Sequence, residues 1–584
     1  METTVATTMA EAFRRTVERV PDRVAVRTAD DSTSLTFAEL RDRVDALAGG
    51  LAELGVGAGD TVALMLSNRP EFHVADLAAM TLGATPFSIY MTYSPEQIAY
   101  IVSDAGARVA IVEESVRDRF EEARAELPDL EHVIVVEDDL EKVEASGEGF
   151  DGEAASREVG PDDTLTLIYT SGTTGPPKGV ELSHRNLLGA IATIDDIIDF
   201  PEESRVISWL PSAHVAERNA HHYIPVYFGF TVTTCDNPRE ILSYLPKVRP
   251  TWFFAVPRIW EKLKAGLESM LHSQPDEQRA KVDAALDAAR EKVRLEQAGE
   301  PVPDELAQTV ARADEELFSK LRETLGLDQA VAVNVGAAPT PPEVLEFFHA
   351  IGIELAELWG MSETCGAGTC NRPGEVKLGT VGPPWPGVEI RLADDGEVLV
   401  RGDIVMKGYR NQPDKTAEAI DDDGWLQTGD IGEIDEDGFL RIVDRKKELI
   451  INAAGKNMSP ANIESALKAA SPLIGQVAAI GDGRPYNTAL IVLDSDYAPS
   501  WASKQGIEED SLEALAGDER VRAAVEEGIE KANQRLARVE QIKKFTIVPG
   551  DWQPGGDELT PTMKLKRKPI AAKYADDIEA MYAN

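Results

Sequence analysis

The 584-residue sequence is poor in cysteine, in aromatic residues and in basic charge, and it has no long apolar run free of interruptions. Three cysteines, Cys235, Cys365 and Cys370, cannot build a disulfide framework in a chain of this length, and Cys365 and Cys370 lack the partners of a zinc site. A reducing, cytoplasmic setting fits this usage. Lys and Arg number 59 against 102 Asp and Glu, and the resulting formal charge of −43 repels nucleic acid and anionic lipid over most of the surface. Nucleic acid is therefore not an expected partner. The cause of the acidity stays open, since a salt-rich habitat and selection for solubility both produce it. The one uncharged stretch that approaches membrane-spanning length, residues 77–95, holds Gly83, Pro86, several Thr and Ser and two tyrosines, and reads as buried core. No basic segment followed by an apolar core opens the chain, so no secretory signal is expected.

What the sequence does have is ordinary globular composition, 43% hydrophobic and 28% charged, in a chain too long for one core. Helical and strand-like periodicity alternate from about residue 35 to 245, as in 37–55 followed by 61–66, and 95–105 followed by 108–113. Such alternation predicts α/β layers. Between 275 and 325 two helical stripes replace it, Val282, Ala285, Leu286, Ala289 and Val293, then Leu306, Val310, Ala313, Leu317 and Leu321, separated by a Gly-Glu-Pro-Val-Pro break at 299–303. A helical hairpin packed on the main body is expected, because neither stripe lasts long enough for a coiled coil. Short strands return between 388 and 409, and Asp421-Asp-Asp-Gly424 and Asp435-Glu-Asp-Gly438 look like hairpin turns. The expected fold is thus α/β: a large N-terminal region, 1–443, with a helical insertion at about 270–328 and a β-rich subdomain at about 376–443, followed by a small, mobile α+β domain, 444–584.

The chemistry concentrates in a few strings. Ser171-Gly172-Thr173-Thr174-Gly175-Pro176-Pro177-Lys178-Gly179-Val180 follows a strand-like 164–169, so its hydroxyls and backbone N–H groups emerge at a strand end where they can face an anion, with Lys178 adding positive charge. It is not the common kinase and GTPase loop, in which Lys follows Gly directly and precedes Ser or Thr. In Glu357-Leu358-Trp359-Gly360-Met361-Ser362-Glu363-Thr364 an aromatic ring before glycine can stack on a purine, and the Glu363 carboxylate can hold a magnesium ion bridging phosphates. Asp430, after a tight Thr-Gly turn, can accept hydrogen bonds from two ribose hydroxyls.

In this order the strings resemble the adenylate-forming superfamily of acyl-CoA synthetases, luciferases and peptide-synthetase adenylation domains, and the resemblance runs from Thr170 to Lys568. It implies that Thr170, Ser171, Gly172, Thr173, Thr174, Gly175 and Lys178 cradle the phosphates of ATP, and that Gly336, Ala337 and Ala338 line the adenosine pocket and the neighbouring acyl channel. Glu357, Leu358, Trp359, Gly360, Met361 and Ser362 would complete the adenine site, and Glu363 and Thr170 would hold Mg2+. The family usually has Tyr where this chain has Trp359, which keeps stacking and loses a phenol hydroxyl.

Asp430 and Arg445 are implied as nucleotide ligands, Lys447 as the pivot of domain rotation, and Lys564, in Glu558-Leu-Thr-Pro-Thr-Met-Lys564, as the adenylation lysine that offsets charge at the α-phosphate. Leu210-Pro-Ser-Ala-His214 resembles the long-chain branch, with His214 near the acyl entrance, and no Asp at 213–215 to pair a substrate amine. Residues 453–464 resemble the same branch's pantetheine route, although Pro460 also suits the first turn of a helix. The resemblance therefore implies an ATP-dependent long-chain fatty acid–CoA ligase using a fatty acid, ATP and coenzyme A. A fatty acyl-AMP ligase loading a separate carrier protein and a non-catalytic acyl- or nucleotide-binding homologue remain alternatives, as do peripheral contact with the inner membrane face and the oligomeric state.

Overall fold

In the computed structural model the described residues are 6–170, 176–452 and 456–583. A seven-stranded sheet forms the frame, in the order Gly408–Tyr409, Lys178–Ser183, Thr164–Thr170, Thr85–Ser88, Thr61–Met65, Val109–Val112, His132–Val135. The last five run parallel, while the first two are antiparallel to their neighbours. Helices cover both faces of the parallel part, which is why Val109–Val112 is apolar at every position rather than alternating. Val62, Leu64, Val109 and Ile111 pack with helices Phe37–Glu53 and Pro70–Thr81. Ala63, Met65, Ala110 and Val112 pack on the other side with Pro95–Ala105 and Arg117–Arg124. The uncharged run 77–95 supplies the end of one helix and the Thr85–Ser88 strand of this sheet. Among the described residues no helix is long and apolar enough to cross a membrane.

A second sheet pairs Trp252–Ala255, Ala332–Val335 and Leu355–Trp359 in parallel, with Thr369–Cys370 antiparallel at the edge. The middle strand starts two residues later than the apolar stretch 330–333 suggests, because pairing begins at Ala332 opposite Trp252 and leaves Val331 exposed. Beside this sheet lies the helical segment Asp276–Gln297, Asp304–Ala313 and Ser319–Leu325, reversing at 299–303. Val282, Leu286, Ala289 and Leu321 enter one core with Phe347 and Phe348, so the hairpin is packed on the body. A third, four-stranded sheet, Val24–Thr28 with Ser34–Thr36, Thr231–Thr234 and Arg205–Ser208, completes this region.

An antiparallel sheet follows, Glu389–Leu392, Glu397–Arg401, Leu426–Ile434 and Leu440–Arg445. Asp435–Gly438 turns the last hairpin, with the Gly438 amide donating to Asp435 O at 3.1 Å. Asp421–Gly424 likewise closes a tight turn, just after the helix Pro413–Ala419: the Gly424 amide donates to Asp421 O at 3.0 Å, and Ile420 bridges antiparallel to Leu426. Beyond it the strands Ile474–Ile480, Asn487–Leu493 and Ile542–Ile547 form a small sheet. Ala489, Ile491 and Leu493 pack under helices Pro460–Ala470 and Glu519–Asn533, and Leu490 and Val492 face Trp552, Ile570 and Ile578. This unit meets the large body through ion pairs of Arg258 with Asp494, Lys262 with Asp496 at 2.6 Å, and Arg535 with Glu343.

Candidate active site

The phosphate-loop string sits on a paired hairpin. Thr164–Thr170 and Lys178–Ser183 run antiparallel down to the pair Thr170 and Lys178, where Thr170 Oγ1 donates to Lys178 O at 3.4 Å. Ser171, Gly172, Thr173, Thr174 and Gly175 lie outside the described residues. The Lys178 ammonium stands 3.8 Å above the ring centre of Tyr409. Its burial holds it below the ordinary lysine range, against the raising effect of nearby Glu363.

The opposite wall comes from the ends of two parallel strands. Gly336 is buried against Leu358, whose Cδ1 would lie 2.9 Å from an added Cβ, whereas Ala337 and Ala338 are exposed. Glu357 is half-buried; it accepts from the Gly379 amide at 3.2 Å, and burial pushes its carboxyl up to about 7. Trp359 is buried, and its indole N–H donates to Asp430 Oδ2 at 2.8 Å. Gly360 is demanded by the chain itself, since a Cβ there would lie 2.4 Å from Gly366 O. The following turn is fixed by the Met361 amide donating to Thr364 Oγ1 at 3.1 Å, with Ser362 half-buried and Glu363 buried. Glu363 Oε1 accepts from Tyr409 Oη at 2.8 Å.

Asp430 follows Gly429, whose φ of +73° only glycine adopts without strain. Asp430 is buried, which raises its pKa, and Arg445 opposes this from the paired strand with Nε 2.7 Å from Oδ1. Both oxygens are thus oriented, one by Arg445 and one by Trp359. Next in sequence, Lys446 binds Asp395 at 2.5 Å and Glu397 at 2.8 Å, the first in the turn between Glu389–Leu392 and Glu397–Arg401 and the second at the start of the latter strand. Glu448 instead accepts from Arg567 at 3.2 Å, and Arg567 forks onto Glu464 at 2.6 and 3.0 Å. Lys447, exposed, stands between these anchors.

Lys564 occupies the tip of a tight hairpin. The Thr560 amide donates to Lys564 O at 2.8 Å, the Lys564 amide donates to Thr560 Oγ1 at 3.0 Å, and Met563 takes a left-handed φ of +65°. The residue is exposed, yet protein crowds its ammonium. Desolvation and Arg445 lower its pKa, and Asp430, Glu363 and Glu448 oppose them. It therefore stands among groups of the large body. His214 caps the helix Val215–Arg218, its Nδ1 accepting from the Ala216 amide at 3.2 Å. Burial and the Lys564 charge push this imidazole down to about 4, so it is neutral at pH 7.

Beneath His214 lies a buried polar layer with no motif in the sequence. Glu217 accepts from Ser208 Oγ at 2.6 Å, Asn68 Nδ2 at 3.0 Å and the Leu210 amide at 3.0 Å, and Arg218 forks onto Asp76. Paired charges of this kind fix the 210–218 segment, because an unpaired buried charge is strongly unfavourable. Tyr409 and Arg567 carry no motif either, since their contacts with Glu363 and with Glu448 and Glu464 cross between elements far apart in sequence. Ala453, Ala454 and Gly455, which open the second long-chain string, lie outside the described residues.

The residues fit a magnesium nucleotide. The second oxygen of buried Glu363 accepts no hydrogen bond among the described residues, which leaves it for a hard cation. Among the described residues no group of three or more His, Cys, Asp or Glu gathers to hold a metal. One carboxylate sharing an ion with substrate phosphates suits Mg2+.

Fold and cleft together define a two-domain nucleotide-binding enzyme. The chain belongs to the AMP-binding enzyme family: residues 13–410 match the AMP-binding enzyme domain and residues 447–584 its C-terminal domain. It is 53% identical over 441 residues to fadD11 of Mycobacterium tuberculosis, covering 75% of this chain and 77% of that one. FadD15 of Mycobacterium bovis, named a long-chain-fatty-acid–CoA ligase, is 36% identical over 566 residues, 94% of this chain and 92% of that protein. ATP-bound MatB from Rhodopseudomonas palustris shares the fold, with a TM-score of 0.71 at 24% identity over 97% of this chain and 99% of that chain.

Proposed function

We propose that this chain is a long-chain fatty acid–CoA ligase that works through an acyl-adenylate. The observation that carries the reading is the position of Lys564, whose hairpin in the small domain brings it within electrostatic reach of Asp430 and Glu363 of the large one and of Arg445, on the strand paired with Asp430. Attack of a carboxylate oxygen on the α-phosphorus of ATP forms the acyl–phosphate bond and releases pyrophosphate. An ammonium from Lys564 offsets the charge that builds there. Asp430, oriented by Trp359 and Arg445, accepts from the ribose hydroxyls. Lys178 and the 170–175 segment hold the outer phosphates, and Glu363 with Thr170 would hold Mg2+, which would supply neutralisation of phosphate charge when bound. Ala337 and Ala338 border the adenosine and acyl space, and neutral His214 borders the acyl entrance without adding a charge that would favour a polar acid.

In the second half-reaction the coenzyme A thiol attacks the activated carbonyl, AMP leaves, and the thiol proton passes to solvent. The anchors on Lys446 and Glu448 leave Lys447 as the joint at which the small domain turns to withdraw Lys564 and admit the thiol. The name of the 36%-identical relative supports the long-chain substrate. The test is a product assay by mass spectrometry with ATP, coenzyme A and acetate, octanoate, laurate, palmitate, oleate and coumarate. Acyl-CoA and AMP should form best from acids of roughly twelve to eighteen carbons, since each buried methylene contributes about 0.8 kcal/mol until the channel is full. A maximum at acetate or coumarate overturns the long-chain assignment.

A further inference from the structure

Tyr409 touches both charged groups that face the polyphosphate. Its two-residue strand pairs with the loop-bearing hairpin, Tyr409 opposite Val180, and the Arg410 amide donates to Gly179 O at 2.7 Å. The Met406 amide donates to Glu363 O at 2.9 Å, so one short segment is bonded to the loop strand on one side and to the Glu363 turn on the other. Within that frame the Tyr409 ring lies under the Lys178 ammonium at 3.8 Å and its hydroxyl donates to Glu363 Oε1 at 2.8 Å. The ring is only 8% exposed, so it cannot swing away into solvent. Lys178 and Glu363 act on each other electrostatically yet form no ion pair.

We propose that Tyr409 is a positioning residue that keeps Lys178 and Glu363 from collapsing onto each other, leaving the ammonium to the polyphosphate and the carboxylate to the divalent cation. An ion pair between them would neutralise both, and a buried carboxylate with a lysine on it is a poor cation ligand. The phenol prevents this in two ways. Its π face gives the ammonium an alternative partner, and its O–H fixes the carboxylate with one oxygen free. The inference rests on the adenylation reading for the roles of Lys178 and Glu363.

Mn2+ binding to the full-length protein with ATP present, followed by water proton relaxation, is the measurement, with the binding of metal-free ATP by calorimetry as the control. Neither needs an acid substrate, so their outcome is separate from that of the product assay. Tyr409→Phe should weaken Mn2+ binding about tenfold, as for one hydrogen bond to a charged group, and leave metal-free ATP binding within about twofold. Tyr409→Leu should weaken both. Adding Lys178→Met to Tyr409→Leu should bring Mn2+ binding back toward wild type, because no cation is left to quench Glu363; a role in packing alone gives no such rescue. Wild-type Mn2+ affinity in Tyr409→Phe, or a double variant no better than Tyr409→Leu, overturns the proposal.

Discussion

Glu357→Gln should stabilise the protein, and do so more as pH rises. The carboxyl has an ordinary value of 4.5 and is pushed to about 7 in the fold, mainly by burial, with the Gly379 amide and Arg441 opposing. A raised carboxyl pKa means that the folded state disfavours the charged form. The penalty is absent well below pH 4.5, grows through the interval from 4.5 to 7, and is complete above it. That interval corresponds to about 3 kcal/mol. Glutamine keeps an oxygen to accept from the Gly379 amide and carries no charge, so the variant should be more stable than wild type by about 3 kcal/mol at pH 8 and by about 1 kcal/mol at pH 5. The assay is urea unfolding of both proteins at several pH values, fitted to the transition of the large domain, since a two-domain chain need not unfold in one step. A stability difference that does not change with pH, or that shrinks as pH rises, refutes the reasoning.

Lys564→Ala should slow acyl-adenylate formation by about a hundredfold, for a loss of about 3 kcal/mol of charge stabilisation, and spare thioester formation from preformed acyl-adenylate. Intact ATP–pyrophosphate exchange in this variant would move the role to another residue of the basic tail. Lys447→Pro should show the converse, slowed thioester formation with adenylation retained, because a fixed φ near −65° resists one of two hinge settings; equal loss of both half-reactions would contradict a pivot. Trp359→Phe removes the N–H that holds Asp430 Oδ2 and should raise the KM for ATP about tenfold with a smaller change in kcat. An unchanged KM in pyrophosphate exchange would mean that Arg445 alone orients the carboxylate.

The site was legible where its chemistry is contiguous. Glu357 to Glu363 share a strand end and one turn, Asp430 is set by the two residues before it, and Lys564 by a five-residue hairpin, so each string carries its own geometry. Groups made by crossings were not legible. Asp76 and Arg218 meet across 142 residues, and Trp359 reaches Asp430 across 71. From sequence Trp359 reads as a purine platform; its indole N–H also donates to Asp430, a contact that only the fold reveals. The layers of the fold were visible in periodicity, since parallel strands joined by helices give short, wholly apolar runs. Register was not, as Ala332–Val335 shows: Ala330 and Val331 are equally apolar, and only Trp252 opposite Ala332 decides where pairing starts.

The way the two domains meet bears on how the cleft can work. Among the described residues, two of the three ion pairs between the small domain and the large one are solvent-facing, with Lys262 41% and Asp496 72% exposed and Arg535 64% and Glu343 35% exposed, while Arg258 and Asp494 are more buried at 29% and 9%. Exposed pairs contribute about 0–1 kcal/mol each. Within the small domain, by contrast, Arg567 binds Glu464 and Glu448 in a largely buried cluster only three residues from Lys564. The Lys564 hairpin and Glu448 are therefore tied to one another, Lys446 is tied to the large domain, and two of those three ion pairs between the domains are exposed and weak. Under the proposed mechanism residue 447 is therefore the expected place for the cleft to yield, so that Lys564 would be placed for the first half-reaction and withdrawn for the second without unfolding the hairpin that carries it.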